Sequence, residues 1–143
     1  MTARFRAQTL TAATALLMLA ACSSIGLGGM HGGLKLSGDQ EVPPVSTAAA
    51  GTSSIKIGAD GSVSGSVTVQ GLAPTMAHIH VGAAGKNGPV IVTLAQTAPG
   101  EWSVPAGAKL STEQMKSYKS GELYVNVHSE ANKGGEIRAQ IIP

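Results

Sequence analysis

The sequence predicts an all-β fold: an antiparallel Greek-key or immunoglobulin-like β-sandwich or barrel that carries one short helix. Three observations predict it. Several short runs alternate apolar and polar residues with a period of two, which gives a strand one buried and one wet face. Clusters of Gly, Pro, Asn and Asp punctuate these runs roughly every ten residues, the rhythm of sandwiches and barrels. Only one segment, Ser111–Tyr118, has the start and stop signals of a helix.

The elements follow in order. Leu34 to Val42 reads as an edge strand, ended by Pro43-Pro44. Thr52 to Ile57 alternates with Ile55 and Ile57 inward, and Ser62 to Gln70 alternates with Val63, Val67 and Val69 on one face. The turn Gly58-Ala59-Asp60-Gly61 joins these two runs into a hairpin. Met76 to Val81 is a third strand, followed by a Gly-rich loop, Gly82 to Pro89. Val90 to Leu94, Glu101 to Val104, Leu123 to His128 and Glu136 to Ile142 complete the set. In the helix, Ser111 and Gln114 stand at capping-box spacing and Gly121 supplies the stop. The expected core is Val63, Val67, Val69, Ile79, Val81, Val125, Val127 and Ile137, with Trp102 closing one side.

Ahead of this domain lies an address. Arg4 and Arg6 precede an apolar stretch, Leu10 to Ala21, too short to span ~30 Å of hydrocarbon. It ends in Leu19-Ala20-Ala21-Cys22, which resembles the lipobox of bacterial lipoproteins, cut before a Cys that then carries lipid. Residues 1–21 are thus expected to be a lipoprotein signal peptide. Cys22 is the expected lipidation site, 22–33 a flexible Gly-rich tether, and 34–143 the domain. Two or more acyl chains give stable anchoring to a membrane. The expected location is the cell envelope, with the outer membrane preferred because Ser23, not Asp, follows the Cys.

Composition excludes several roles. Charged residues make up 13% of the chain, too few for a basic nucleic-acid groove. From Cys22 onward the Lys/Arg and Asp/Glu counts are equal, since Arg4 and Arg6 carry the excess of +2. A single Cys allows no intrachain disulfide and no multi-cysteine metal site. There is no Gly-x-Ser-x-Gly elbow, the carboxylates are scattered, and no enzyme activity is expected.

The histidines carry the remaining chemistry. His78 and His80 are two apart on one strand, so they share the face opposite Ala77, Ile79 and Val81. His128 lies on the face opposite Leu123, Val125 and Val127. If the two strands are neighbours, three imidazoles gather on the outer surface of the sandwich. Neutral imidazole suits copper or zinc, and copper is expected first, zinc second. Met76 and the tether's His31 are auxiliary candidates. Affinity is expected to weaken below a pH of ~6.5, where free imidazole takes up a proton.

Three motifs tie these residues to a family. Leu36-Ser37-Gly38-Asp39-Gln40-Glu41-Val42-Pro43-Pro44-Val45 resembles the opening of a CHRD (chordin-type) domain. Ala77 to Gly82 with Gly88-Pro89-Val90 is similar to its middle, and Leu123 to Ser129 with Gly134 to Arg138 to its end. Lys133 stands where relatives often have Pro, which is expected to loosen a turn. The layout also resembles the Cu/Zn superoxide dismutase sandwich. That family needs more histidines than this domain has, so the resemblance implies no dismutase activity.

The expected function is a lipid-anchored envelope protein that binds a metal ion, most of all copper, through His78, His80 and His128 for buffering, resistance or delivery. The alternative is a non-catalytic adhesion or protein-binding module that engages an envelope protein partner. A small redox or hydrolytic enzyme ranks last.

Overall fold

A computed structural model describes residues 33–143. The chain runs through β1 (Leu34–Leu36), a 3-10 turn (Gly38–Gln40), β2 (Ala50–Ser53), β3 (Lys56–Ile57), β4 (Val63–Ser64) and β5 (Ser66–Gln70). It continues through β6 (Pro74–Val81), β7 (Val90–Thr93), β8 (Ala95–Ala98), β9 (Glu101–Ser103), α1 (Thr112–Lys119), β10 (Leu123–Ser129) and β11 (Ile137–Ile141). A five-stranded sheet has the order β1-β2-β5-β9-β8, and a four-stranded sheet the order β11-β10-β6-β7. All pairings are antiparallel, and β3-β4 prolongs the β2/β5 hairpin. The architecture is a sandwich; among the described residues no barrel closes.

The two-residue period places the core between the sheets. Val67 and Val69 from β5, Ala77 and Ile79 from β6, and Leu123, Val125 and Val127 from β10 are buried together with Leu36, Trp102 and Ile137. Val63 is buried too, as its phase requires. Val81 is only half-buried, because it ends β6 where the chain turns into the Gly82–Pro89 loop.

The hairpin is not continuous as the alternation suggests. Gly65 adopts φ +111, and a Cβ there would sit 2.5 Å from the Ser54 carbonyl oxygen. The two backbones approach too closely for a side chain, so both runs break at this level into two short strands each. The first strand is also shorter than its sequence suggests: after Leu36 the chain bridges to Arg138 and turns into the 3-10 segment. Strand β8 has no counterpart in the apolar pattern. Its residues, Ala-Gln-Thr-Ala, bury little and are held by the backbone ladder to β9.

The helix forms as its signals dictate. The Ser111 hydroxyl accepts from the Gln114 N–H at 3.2 Å, and the Gln114 side chain accepts from the Ser111 N–H at 2.8 Å. Gly121, with φ +71, ends it. Residues 1–21, Cys22, the tether up to residue 32 and His31 lie outside the described residues.

Candidate metal centre

Strands β6 and β10 lie side by side in the register Tyr124↔His80, Asn126↔His78 and His128↔Met76. The alternation that sends Ile79 and Val125 into the core sends these six side chains to the opposite face of the sheet. That face is not an open surface. Every residue of β10 is buried, His80 and His128 are 7% and 6% exposed, and His78 is half-buried. The expectation of surface histidines is therefore corrected. Period two assigns a face but does not say what folds over it.

Three connecting segments form the cover. The Gly82–Pro89 loop brings the Gly88 carbonyl to His80, and the turn after β10 brings the Lys133 carbonyl to His128. The segment around Glu41 is tied to the first loop by Asn87, whose Nδ2 donates to the Val42 carbonyl at 2.7 Å. Gly88 cannot be replaced without moving the loop, since a Cβ there would collide with the Val81 carbonyl oxygen.

Beneath this cover the three imidazoles converge. Ring centroids are 4.8 Å apart for His78–His128, 5.6 Å for His78–His80 and 6.2 Å for His80–His128. One nitrogen from each ring lies within 4.8 Å of the other two. Among the described residues, no other trio of His, Cys, Asp or Glu side chains is grouped in this way.

The rings are oriented from outside the trio. His128 Nδ1 is 2.9 Å from the Lys133 carbonyl and His80 Nδ1 is 2.9 Å from the Gly88 carbonyl. A carbonyl only accepts, so each Nδ1 carries the proton and each Nε2 keeps a lone pair when the ring is neutral. His78 Nδ1 lies 2.9 Å from His128 Nε2 and donates to it. An ion held between these two atoms takes the place of that proton. His80 Nε2 faces the Asn126 Oδ1 at 2.9 Å. In a neutral ring that contact opposes two lone pairs, which a half-turn of the amide or a bound cation relieves.

Burial disfavours protonation of all three rings. It pushes His78 down to about 4, helped by the charges His128 and His80 would carry. His80 and His128 are lowered for the same first cause, against hydrogen bonds to Gly88, Asn126 and Lys133 that pull the other way. Proton competition with a metal therefore sets in at a lower pH than the free-imidazole value of ~6.5 anticipated from sequence.

Behind His80 stands a polar stack. The Tyr124 ring lies parallel to His80 with centroids 4.6 Å apart, and the Arg138 guanidinium lies 3.4 Å from the Tyr124 centroid. Arg138, 1% exposed, donates to the carbonyls of Ala83 and Lys86 and to the side chains of Asn87 and Gln140. Glu41 is the carboxylate facing this guanidinium. It is 4% exposed, and its Oε1 has no hydrogen-bond partner. Burial pushes Glu41 up to about 7 against the opposing pull of Arg138, Asn126 and the Val42 backbone.

The profile of the CHRD domain matches residues 33–141. The chain belongs to the CHRD domain family. No curated protein and no solved structure matches it. In this CHRD domain the three sequence motifs fall on one face: the opening supplies Glu41, the middle His78, His80 and Gly88, and the end Asn126, His128 and Arg138.

Of the auxiliary candidates, Met76 stands directly across from His128, while His31 lies outside the described residues. Sequence reasoning did not assign roles to Glu41, Asn126 or Arg138, although all three lie inside the motifs. It also treated Lys133 only as a departure from the family pattern. Its backbone carbonyl orients His128, which any residue at that position can do.

The Glu41 shift gives a stability prediction. The folded-state value of about 7 lies above the ordinary 4.5, so the native state binds this proton more tightly than the unfolded chain. That stabilisation is complete below a pH of about 4.5 and is lost as pH rises through about 7. Glu41→Gln mimics the protonated form. It should unfold at higher urea than wild type at alkaline pH, by up to about 3 kcal/mol, and match it in mild acid. Parallel pH–stability curves for the two proteins would show that Glu41 ionises freely in the fold.

Proposed function

We propose that this CHRD domain is the metal-holding part of a lipid-anchored envelope protein. His78, His80 and His128 hold the ion, which is copper with zinc second, for buffering, resistance or delivery. The observation that carries the reading is the orientation of the rings: two backbone carbonyls hold Nδ1 of His80 and His128, which frees both Nε2 lone pairs, that of His128 beside His78 and that of His80 toward Asn126. Three neutral nitrogen donors and no thiolate suit copper ahead of the harder divalent ions. The role is binding rather than catalysis. The lipobox-like Leu19-Ala20-Ala21-Cys22 supports the anchor, with Cys22 as the lipidated residue and the outer membrane as the preferred location.

Two measurements test this. Copper titration of the purified domain should give one ion per chain, and the triple variant His78→Ala/His80→Ala/His128→Ala should bind none. Cys22→Ser should abolish palmitate incorporation. A wild-type protein that partitions into the aqueous phase of a detergent split as fully as this variant has no lipid anchor.

A second reading, a protein-binding module, draws on β8. This uncharged, exposed strand forms one edge of the five-stranded sheet and can accept an added strand from an envelope partner. The triple histidine variant separates the two, since it removes the metal donors and leaves this edge intact.

A further inference from the structure

We infer that the centre selects a monovalent, soft cation, cuprous copper, over divalent zinc, and that the Met76 thioether is its outer, fourth donor. The inference rests on the metal-binding reading above and deepens it.

Charge is the first argument. The trio consists of neutral imidazoles, and it includes no carboxylate or thiolate to neutralise an ion. Two of the ring N–H groups end on backbone carbonyls rather than on carboxylates, so no negative charge reaches the metal through its ligands. Through the parallel Tyr124 ring, His80 is backed by the buried guanidinium of Arg138. The carboxylate that interacts by charge with that guanidinium, Glu41, is itself buried, and burial opposes its ionisation. The desolvation cost of an ion grows as the square of its charge, and its repulsion by Arg138 grows in proportion to that charge. A divalent ion therefore suffers twice in this environment, and a monovalent one far less.

The second argument is the position of Met76. Seen from sequence alone, Met76 is one step too far along its strand to share an ion centred between His78 and His80. The register changes that. His128 pairs with Met76, not with His80, so the trio is centred toward His78. Met76 is thus two residues from His78 on the same face and directly opposite His128, where side chains are about 5 Å apart at Cβ. Exposure falls along this face from Met76 at 45%, through half-buried His78, to His80 at 7%. The solvent side of the centre is thus its Met76 side. A thioether there binds Cu(I) and contributes little to Zn(II).

The test uses the purified domain under anaerobic, reducing conditions, with Cu(I) competed against bicinchoninate and Zn(II) against a chromophoric chelator. Cu(I) should bind at one per chain and resist displacement by an excess of Zn(II) of about a hundredfold. Met76→Leu, at an exposed position, should keep the wild-type melting temperature. It should lower Cu(I) affinity on the order of tenfold and leave Zn(II) affinity unchanged. Displacement of copper by zinc, or equal losses for both ions in Met76→Leu, overturns the inference while leaving a metal site. Binding of neither ion overturns the metal-binding reading itself.

Discussion

His128→Ala is expected to weaken copper binding by more than about a hundredfold, roughly 3 kcal/mol. Its ring is the sole donor from β10, and it reaches across the sheet to within 2.9 Å of His78. Without it, His78 and His80 remain on one strand with a centroid separation of 5.6 Å and no third donor. Lys133→Ala supplies the control. The Lys133 carbonyl orients His128 and survives that change, so affinity should stay within about twofold. Competition titration of both variants decides the matter. Equal affinities for wild type and His128→Ala would place any bound ion elsewhere.

Arg138→Ala is expected to cost about 3–5 kcal/mol of stability. The guanidinium is wholly buried, stacks on Tyr124, and holds the Gly82–Pro89 loop through the carbonyls of Ala83 and Lys86 and the side chain of Asn87. Its removal leaves those acceptors without their donor and opens a cavity against the sheet. The loss is a large share of the ~5–15 kcal/mol that holds a typical domain together. Urea unfolding measures it, and limited proteolysis should show the loop cut first. A cost under about 1 kcal/mol would mean that the loop is held by its own turns and that the guanidinium is incidental.

The sandwich was legible because alternation is a local signal. Val63, Val67 and Val69 declare their face within one strand, and Ser111 with Gln114 declares a helix start within four residues. The strand breaks at Gly65 and Ser54 were not legible, since they depend on how closely two backbones approach. The histidine trio was half legible. The shared face of His78 and His80 follows from their spacing, whereas the approach of His128 depends on a strand pairing between residues 50 apart in sequence. The cover over the trio was invisible to periodicity, because loops carry no period. Arg138 shows the same limit: a charge in a strand reads as solvent-facing until three loop residues fold over it.

The bridge between Ser37 and Arg138 also governs when the fold can be completed. These two residues exchange both backbone hydrogen bonds, at 3.1 and 3.0 Å, so the start of the domain is sealed by its last strand. A chain emerging from the ribosome N-terminus first can form the β2/β5 hairpin early, but the partners of Ser37 and of the Gly82–Pro89 loop arrive only with the final residues. Such long-range closure is slow relative to local pairing. The first strand and the Gly82–Pro89 loop therefore wait for the C-terminal strand before they are fixed. The domain locks only when its last strand is free to pair with its first.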